Sequence, residues 1–375
     1  MACVAHIFDL TAGWPQRVAA REVFERLPAE RYSPRPILID GAARYVVPPA
    51  GDVPLFARRG GPSYLAAAGL ARYASDEQVA MVHAWGLPSA MAAFHADSAQ
   101  LRPIVLSWYE PAIDAGQARR LRALTEHRTT AIACDSATVR RRLIEKGVPP
   151  DRCVVIRPGV DFGRINRAKR SDLRERLGLS AQHRVLITPE PATRDSGAFV
   201  ALWTAAMRSF IEADIRIVVP GDSPGRRRVV RLAEQIGFKS VLACPPATLL
   251  FEDLVAVADV LVVASEREVA TTAIAWSFAA SVPVIATAVH ATAELVANKV
   301  NGLLLKPQPS TRMAAKLAAL LDDSATLARV KQSARDQAYE VFSVRRYCDQ
   351  TARLYDNLLS RRPAADGIAD AASVA

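Results

Sequence analysis

Residues 265–286 read SEREVATTAIAWSFAASVPVIA: an acidic cluster, two threonines, a run of small residues carrying one indole, and a short apolar run broken by Pro283. Carboxylates at a strand end, here Glu266 and Glu268, accept hydrogen bonds from hydroxyl groups. With Arg267 between them they are equally well a solvated charge cluster. Thr271 and Thr272 supply a cap hydroxyl and unsatisfied N–H groups at a helix start, although threonine is also an ordinary residue there. Trp276 offers a single N–H donor and a flat apolar face. A second polar loop, PEPATRDSG at 189–197, places Glu190 and the lone cation Arg194 just after an apolar run.

These groups need strands and helices to aim them, and the chain alternates the two. VAHIFDL leads through Gly13 and Trp14 into RVAAREVFERL, whose apolar residues recur at helical spacing. RPILID, AMVHAW, RPIVLSW and TTAIACD are further short apolar runs followed by loops or helical segments. A second series begins after the basic stretch Arg164 to Arg176, with RVLITP, IRIVVPG, SVLAC, DVLVVAS and VPVIAT as its strands. Short strands separated by helices predict βαβ units and parallel sheets, here in two doubly wound halves. A helical tail from Thr311 to Leu359 follows, interrupted near Phe342-Ser343, and the last residues look frayed. In open parallel sheets ligands bind at the carboxyl ends of the strands, so the expected site is the cleft between the halves.

Composition narrows the class. With 375 residues, half of them apolar, the chain is long for one core and suits two domains. No run reaches the roughly 18 apolar residues of a bilayer span, and MACVAHIFDL lacks the layout of a signal peptide, so a cytoplasmic protein is expected. The five cysteines are scattered, without a C-x-x-C pair, which argues against disulfides and zinc and for small buried or half-buried apolar residues. The net charge of +10 invites polyanions, yet the arginine runs 140–142 and 226–228 lie beside apolar residues at helical spacing, as solvated helix faces do, without interleaved aromatics. Nucleic acid is therefore not an expected partner, while a weak contact with an anionic membrane surface stays open.

From Val154 to Leu359 the order of segments resembles the GT-B glycosyltransferases of family 4. VVIRPGVD, with Pro158, Gly159, Val160 and Asp161 in register, resembles the family's lead into its second domain. SFAASVPVIATAVHATAELVANKVNGLLLKP resembles the stretch that follows the donor site, matching at Pro283, Glu294, Asn301 and Gly302. Phe342-Ser343 and Tyr355 to Leu359 are similar to the closing helices. In the first half Gly13, VHAWG, PIVLSWYE and the serine of ACDSATVRRRL keep the family's order.

The resemblance implies two Rossmann-like domains facing across a cleft. Residues 1–163 form the acceptor-side domain and 164–345 the donor-side domain. Residues 346–360 form a helix packing back on the first domain, and 361–375 a tail. It also implies a retaining transferase that takes a hexose from a nucleotide sugar and gives it to a carbohydrate or glycan acceptor, with no metal and no cofactor. Register with Pro283 puts Glu268 on the donor sugar and Trp276 where a glutamate grips the ribose. A carboxylate accepts two hydrogen bonds from a vicinal diol, and an indole cannot. Thr271 and Thr272 stand where backbone N–H groups face the donor phosphates. Glu190 falls on the position of a phosphate-binding arginine, an exchange of attraction for repulsion that Arg194 is the one nearby cation to offset, although a lone loop arginine is equally well a solvated side chain. The family's Gly-Gly loop reads Gly13-Trp14 here, and Tyr109 takes the place of a histidine near the reacting sugar. His83 is a candidate at the cleft edge, although a single histidine after a strand is more often structural.

Trp14, Trp85 and Trp108 thus lie at expected strand ends around the cleft, with Trp276 opposite. Aromatic faces there suit sugar rings, and they also suit plain filling of the space. Two readings stand: a hexosyltransferase, and a catalytically impaired relative that serves as a sugar- or partner-binding module. A pyridoxal-phosphate phosphorylase on the same fold fails, because no lysine lies in a suitable loop.

Overall fold

The computed structural model describes residues 1–9, 13–39, 55–56, 67–97, 102–110, 113–126, 129–167, 170–189, 197–211, 214–221, 224–246, 248–265, 271–307 and 310–361. The first half contains β1 (Ala2–Phe8), α1 (Trp14–Arg26), β2 (Tyr32–Ile39), β3 (Leu55–Phe56), α2 (Ala67–Asp76) and β4 (Met81–Ala84). It continues with α3 (Leu87–Ala96), β5 (Ile104–Trp108), α4 (Ala115–Glu126), β6 (Thr130–Cys134), α5 (Ala137–Glu145) and β7 (Cys153–Val155). Its strands pair in parallel in the order β3-β2-β1-β4-β5-β6-β7.

The second half begins with α6 (Phe162–Arg167) and α7 (Arg170–Arg176), which occupy the basic stretch that separates the two series of strands. Then come β8 (Arg184–Ile187), α8 (Ala198–Ser209), β9 (Ile215–Val218), α9 (Pro224–Gln235), β10 (Leu242–Ala243) and α10 (Phe251–Leu254). The sheet is completed by β11 (Val260–Val263), α11 (Thr272–Ala279), β12 (Val284–Thr287), α12 (His290–Leu295) and β13 (Gly302–Leu305). Its parallel order is β10-β9-β8-β11-β12-β13. The tail is α13 (Ser310–Asp322), α14 (Ser324–Val341) and α15 (Val344–Ser360), broken at Asp323 as well as at Phe342-Ser343.

Strand alternation divides each half into two cores. In the first half Ile104, Leu106 and Trp108 of β5 face α2 to α5, while Val105 and Tyr109 face α1 and α15. The second half alternates in the same way: Leu261 and Val263 of β11 face α11 and α14, and Val260 and Val262 face α8, α9 and α13.

Three glycines have steric reasons to be glycine. A Cβ on Gly159 would lie 2.8 Å from the Cβ of Tyr347, so its absence lets α15 cross back over the first sheet. The crossing is fixed where the Val160 N–H donates to the Phe342 carbonyl at 2.7 Å and the Val344 N–H to the Val160 carbonyl at 3.2 Å. A Cβ on Gly302 would meet the Val284 carbonyl oxygen at 2.5 Å, and Gly197, with φ +78°, would place one 2.2 Å from the Ala264 backbone. Asn301 is structural too: its side chain accepts from the Ala297 N–H at 2.8 Å and donates to the Leu295 carbonyl at 3.0 Å.

Among the described residues no helix is long and apolar enough to cross a membrane, and no cluster of His, Cys, Asp and Glu could hold a metal ion. All five cysteines are free. Cys134, Cys153 and Cys348 are buried and Cys3 is half-buried, but Cys244 is exposed, contrary to expectation, because it lies in the loop after the short edge strand β10.

Candidate active site

The seam between the halves is built around two helix starts. Thr271 stands at the N-cap of α11, yet its side chain does not cap its own helix. Its N–H and Oγ1 donate instead to Asp135 Oδ2, at 3.3 and 3.0 Å, across the seam. Asp135 directly follows β6, and its other oxygen accepts from Ser136 Oγ at 3.1 Å. Ser136 Oγ in turn accepts the Val139 N–H at 3.2 Å and caps α5. Burial raises the Asp135 carboxyl to about 6 against the hydrogen bonds from Thr271 and Ser136, which favour its ionised form.

The exchange is reciprocal. Glu294, on α12 of the second half, accepts the Ala137 and Thr138 N–H groups at the start of α5, at 3.1 and 2.9 Å, and pairs with Arg157. Burial alone would raise the Glu294 carboxyl; the two N–H donors and Arg157 outweigh it and hold the group below its ordinary range. A helix N-terminus is an anion site by virtue of its free N–H groups and dipole. Here each half offers one, and each is filled by a carboxylate of the other.

A third contact across the seam involves Trp14, the first residue of α1. Its indole N–H donates to Glu252 on α10, a carboxylate with 1% exposure, and its ring lies 4.9 Å from that of Phe251. Arg21 Nη1 donates to the other Glu252 oxygen at 2.9 Å, and Arg164 joins Asp253 at 2.9 Å. Gly13 is the N-cap of α1, its N–H donating to Gln16 Oε1 at 3.1 Å. Trp14 belongs to the core of the second half although its helix belongs to the first.

The remaining expected site residues are placed as follows. Thr272 and Trp276 lie one turn apart on α11, both fully buried, and neither the Thr272 hydroxyl nor the Trp276 N–H has a hydrogen-bond partner among the described residues. Tyr109 is buried on the α15 side of the first sheet. Burial, with Asp135 nearby, pushes its phenol up, and its hydroxyl meets Tyr347. Glu268, Glu190 and Arg194 lie outside the described residues.

The expectation that four tryptophans ring the cleft does not hold. Trp85 packs under α1 and α15, and Trp108 on the opposite face of the same sheet under α3 and α4. A strand-end position does not decide the face; the parity of the residue along the strand does. His83 is likewise a core residue rather than a cleft-edge one. Its ring stacks on Trp85 at 4.1 Å, its nitrogens meet Tyr355 and Ser107, and burial drives its pKa well down. Sequence reading missed Asp135 and Glu252 as seam residues. Asp135 carried a signal, the Asp-Ser pair between a strand and a helix; Glu252 carried none, because its partners are far away in sequence.

Comparison with known proteins agrees with this architecture. The family model described as Glycosyl transferases group 1 matches residues 171–337, and that described as Glycosyltransferase Family 4 matches residues 4–164. A D-inositol 3-phosphate glycosyltransferase of Thermobispora bispora is 30% identical over 230 residues, which is 57% of this chain and 54% of the relative. A D-inositol 3-phosphate glycosyltransferase 1 of Catenulispora acidiphila is 28% identical over 205 residues, 51% of this chain and 49% of the relative. The matches span about half the length of these curated relatives. Among solved structures, sucrose-phosphate synthase of Thermosynechococcus elongatus superposes with TM-score 0.78 at 16% identity, covering 96% of this chain and 100% of that one. A glycosyltransferase from Rickettsia africae gives 0.76 at 17%, covering 96% and 99%. The Anabaena protein HepE in complex with UDP-glucose gives 0.75 at 16%, covering 95% and 100%. At these identities the structural likeness concerns the fold.

Proposed function

This chain belongs to the glycosyl transferases group 1 family and has its GT-B fold, and from that premise we propose that it moves a hexose from a nucleotide sugar to a carbohydrate or glycan acceptor with retention of configuration. The observation that carries the reading is the start of α11, at the seam between the halves, which already holds an anion in the form of Asp135. A diphosphate is an anion of the same kind, and Thr271 and Thr272 supply donors for it once Asp135 withdraws. The Thr272 hydroxyl and Trp276 N–H on the same helix, without a partner among the described residues, are polar groups that a bound donor would satisfy. Glu268 is assigned to the donor sugar hydroxyls, Arg194 to the phosphates beside Glu190, and Gly13 to the opposite wall, while Tyr109, buried with its hydroxyl on Tyr347, would have to be uncovered to reach a sugar. No metal is required where helix N-termini and side chains neutralise the leaving diphosphate. The UDP and UDP-glucose bound by HepE make uridine nucleotides the first candidates.

A second reading rests on the same contact. If Asp135 never leaves Thr271, the chain is a catalytically impaired relative acting as a sugar- or partner-binding module. Calorimetric titration with UDP, GDP, ADP and their hexose forms separates the two. Saturable binding of one nucleotide, with competition by its sugar form and transfer that Glu268→Gln abolishes without changing Tm, supports the enzyme. Absence of binding at millimolar concentration supports the module and sinks the enzyme.

A further inference from the structure

The face of α8 that points away from its sheet is apolar along its whole length. At 100° per residue, Phe199, Trp203, Met207 and Phe210 form one stripe, with Val200 and Ile211 beside it. The inward face, with Ala198, Ala201, Leu202 and Ala205, supplies the core against the second sheet. Phe199 and Val200 are half-buried and pack against the edge of that core, and Met207 is half-buried, but Trp203 is 40% exposed, and Phe210, whose ring meets Phe238 edge-on at 5.3 Å, and Ile211 are each 79% exposed. Two exposed rings and an isoleucine on one stripe mark an interaction surface.

The helices that flank the stripe carry net positive charge, with the exposed Asp214 three residues after Ile211 as a nearby acidic group. α9 and α13 pack on the same side of the sheet as α8. The four arginines of α9, with Arg312 and Lys316 of α13, outnumber Glu234 and Asp322, which are engaged by Lys239 and Arg208. Arg227, Arg228, Arg231, Arg312 and Lys316 are exposed.

We infer that this face docks on an anionic lipid bilayer, the α8 rings entering the headgroup region and the arginines of α9 and α13 lying on the phosphates. An apolar ridge bordered by cations is the pattern that binds such a surface. A second copy fits less well, because a two-fold contact through α8 would set the cations of one copy against those of the other. The surface lies on the opposite side of the second sheet from α11, so docking leaves the seam accessible. Its position goes beyond the transferase reading and does not depend on it.

The test is co-sedimentation of the full chain with phosphatidylcholine vesicles, with and without phosphatidylglycerol, together with acrylamide quenching of tryptophan fluorescence. Trp203 is the exposed indole, the other four being at most 2% exposed, so quenching reports its environment. The expected result is binding to the anionic vesicles alone, protection of Trp203, and a loss on the order of tenfold in affinity for the double variant Phe210→Ser, Ile211→Ser with unchanged Tm. A Trp203→Phe variant should still bind but lose the protection signal. Absence of vesicle binding would overturn the inference, as would binding that the double variant leaves intact. Concentration-dependent dimerisation abolished by the double variant, without vesicle binding, would reassign the face to self-association.

Discussion

Thr271 donates both its N–H and its hydroxyl to one oxygen of Asp135, a residue 136 positions earlier that extends a strand of the other sheet. The contact fills an anion site with a carboxylate whose proton is held more tightly than in an unfolded chain: about 6 against an ordinary 3.8. A raised carboxyl contributes stability below its unfolded value and loses that contribution as the pH rises through its folded value. The Asp135 contribution is therefore greatest below about pH 4, falls between 4 and 6, and is flat above.

Asp135→Asn keeps an oxygen for Thr271 and removes the cost of burying a charge. At pH 7.5 it should leave the protein more stable, by up to roughly 3 kcal/mol, and the gain should vanish below pH 4. Urea unfolding of both proteins across that range checks it. On the transferase reading the same variant also binds nucleoside diphosphate more tightly, since a negative charge has left the phosphate site; unchanged affinity would place the phosphates elsewhere.

Glu294 has the opposite dependence. Its folded pKa is depressed, so its contribution is present above the unfolded value of 4.5 and is lost as the pH falls through the folded one. Glu294→Ala uncovers the Ala137 and Thr138 N–H groups and strands Arg157. A loss of about 1–3 kcal/mol at pH 7 is expected, shrinking in acid. A pH-independent loss would mean that packing, not charge, is what Glu294 contributes.

Trp14→Phe keeps the ring against Phe251 but removes the N–H that Glu252 accepts. Arg21 still pairs with the carboxylate, so the expected cost is about 1–3 kcal/mol rather than the larger penalty of an abandoned buried charge. Arg21→Ala, which takes away the nearer of two counter-charges and leaves Arg164 at 3.8 Å, should cost more. Equal losses, measured by urea unfolding, would show that the two donors are interchangeable.

The alternation of strands and helices is legible in the sequence because each strand is a short apolar run and each loop is polar, as β8 to β9 and β11 to β12 illustrate. The start of α11 at Thr271-Thr272 is legible for the same local reason. What local pattern does not encode is which distant group meets a helix start. Asp135 and Glu294 meet their partners only because two sheets face each other, and the cores that hold Trp85 and Trp108 differ by the parity of one position along a strand.

Trp276, which stands where the family resemblance expects a ribose-binding carboxylate, admits a sharper test. Its ring is fully buried in the core shared by α11 and α14, and its N–H has no partner among the described residues. Trp276→Ala should cost about 3–5 kcal/mol, the range for an emptied aromatic site. Trp276→Phe keeps most of the apolar contact and removes only an unused donor, so it should stay within about 1.5 kcal/mol of the natural protein in chemical unfolding. The Phe variant separates packing from recognition. If its nucleotide-sugar affinity is unchanged, the indole fills space and the ribose is held by other groups. If affinity falls while stability holds, the N–H that is idle in the closed seam is the donor to the bound nucleotide, and one hydrogen bond has replaced the two that a carboxylate would accept.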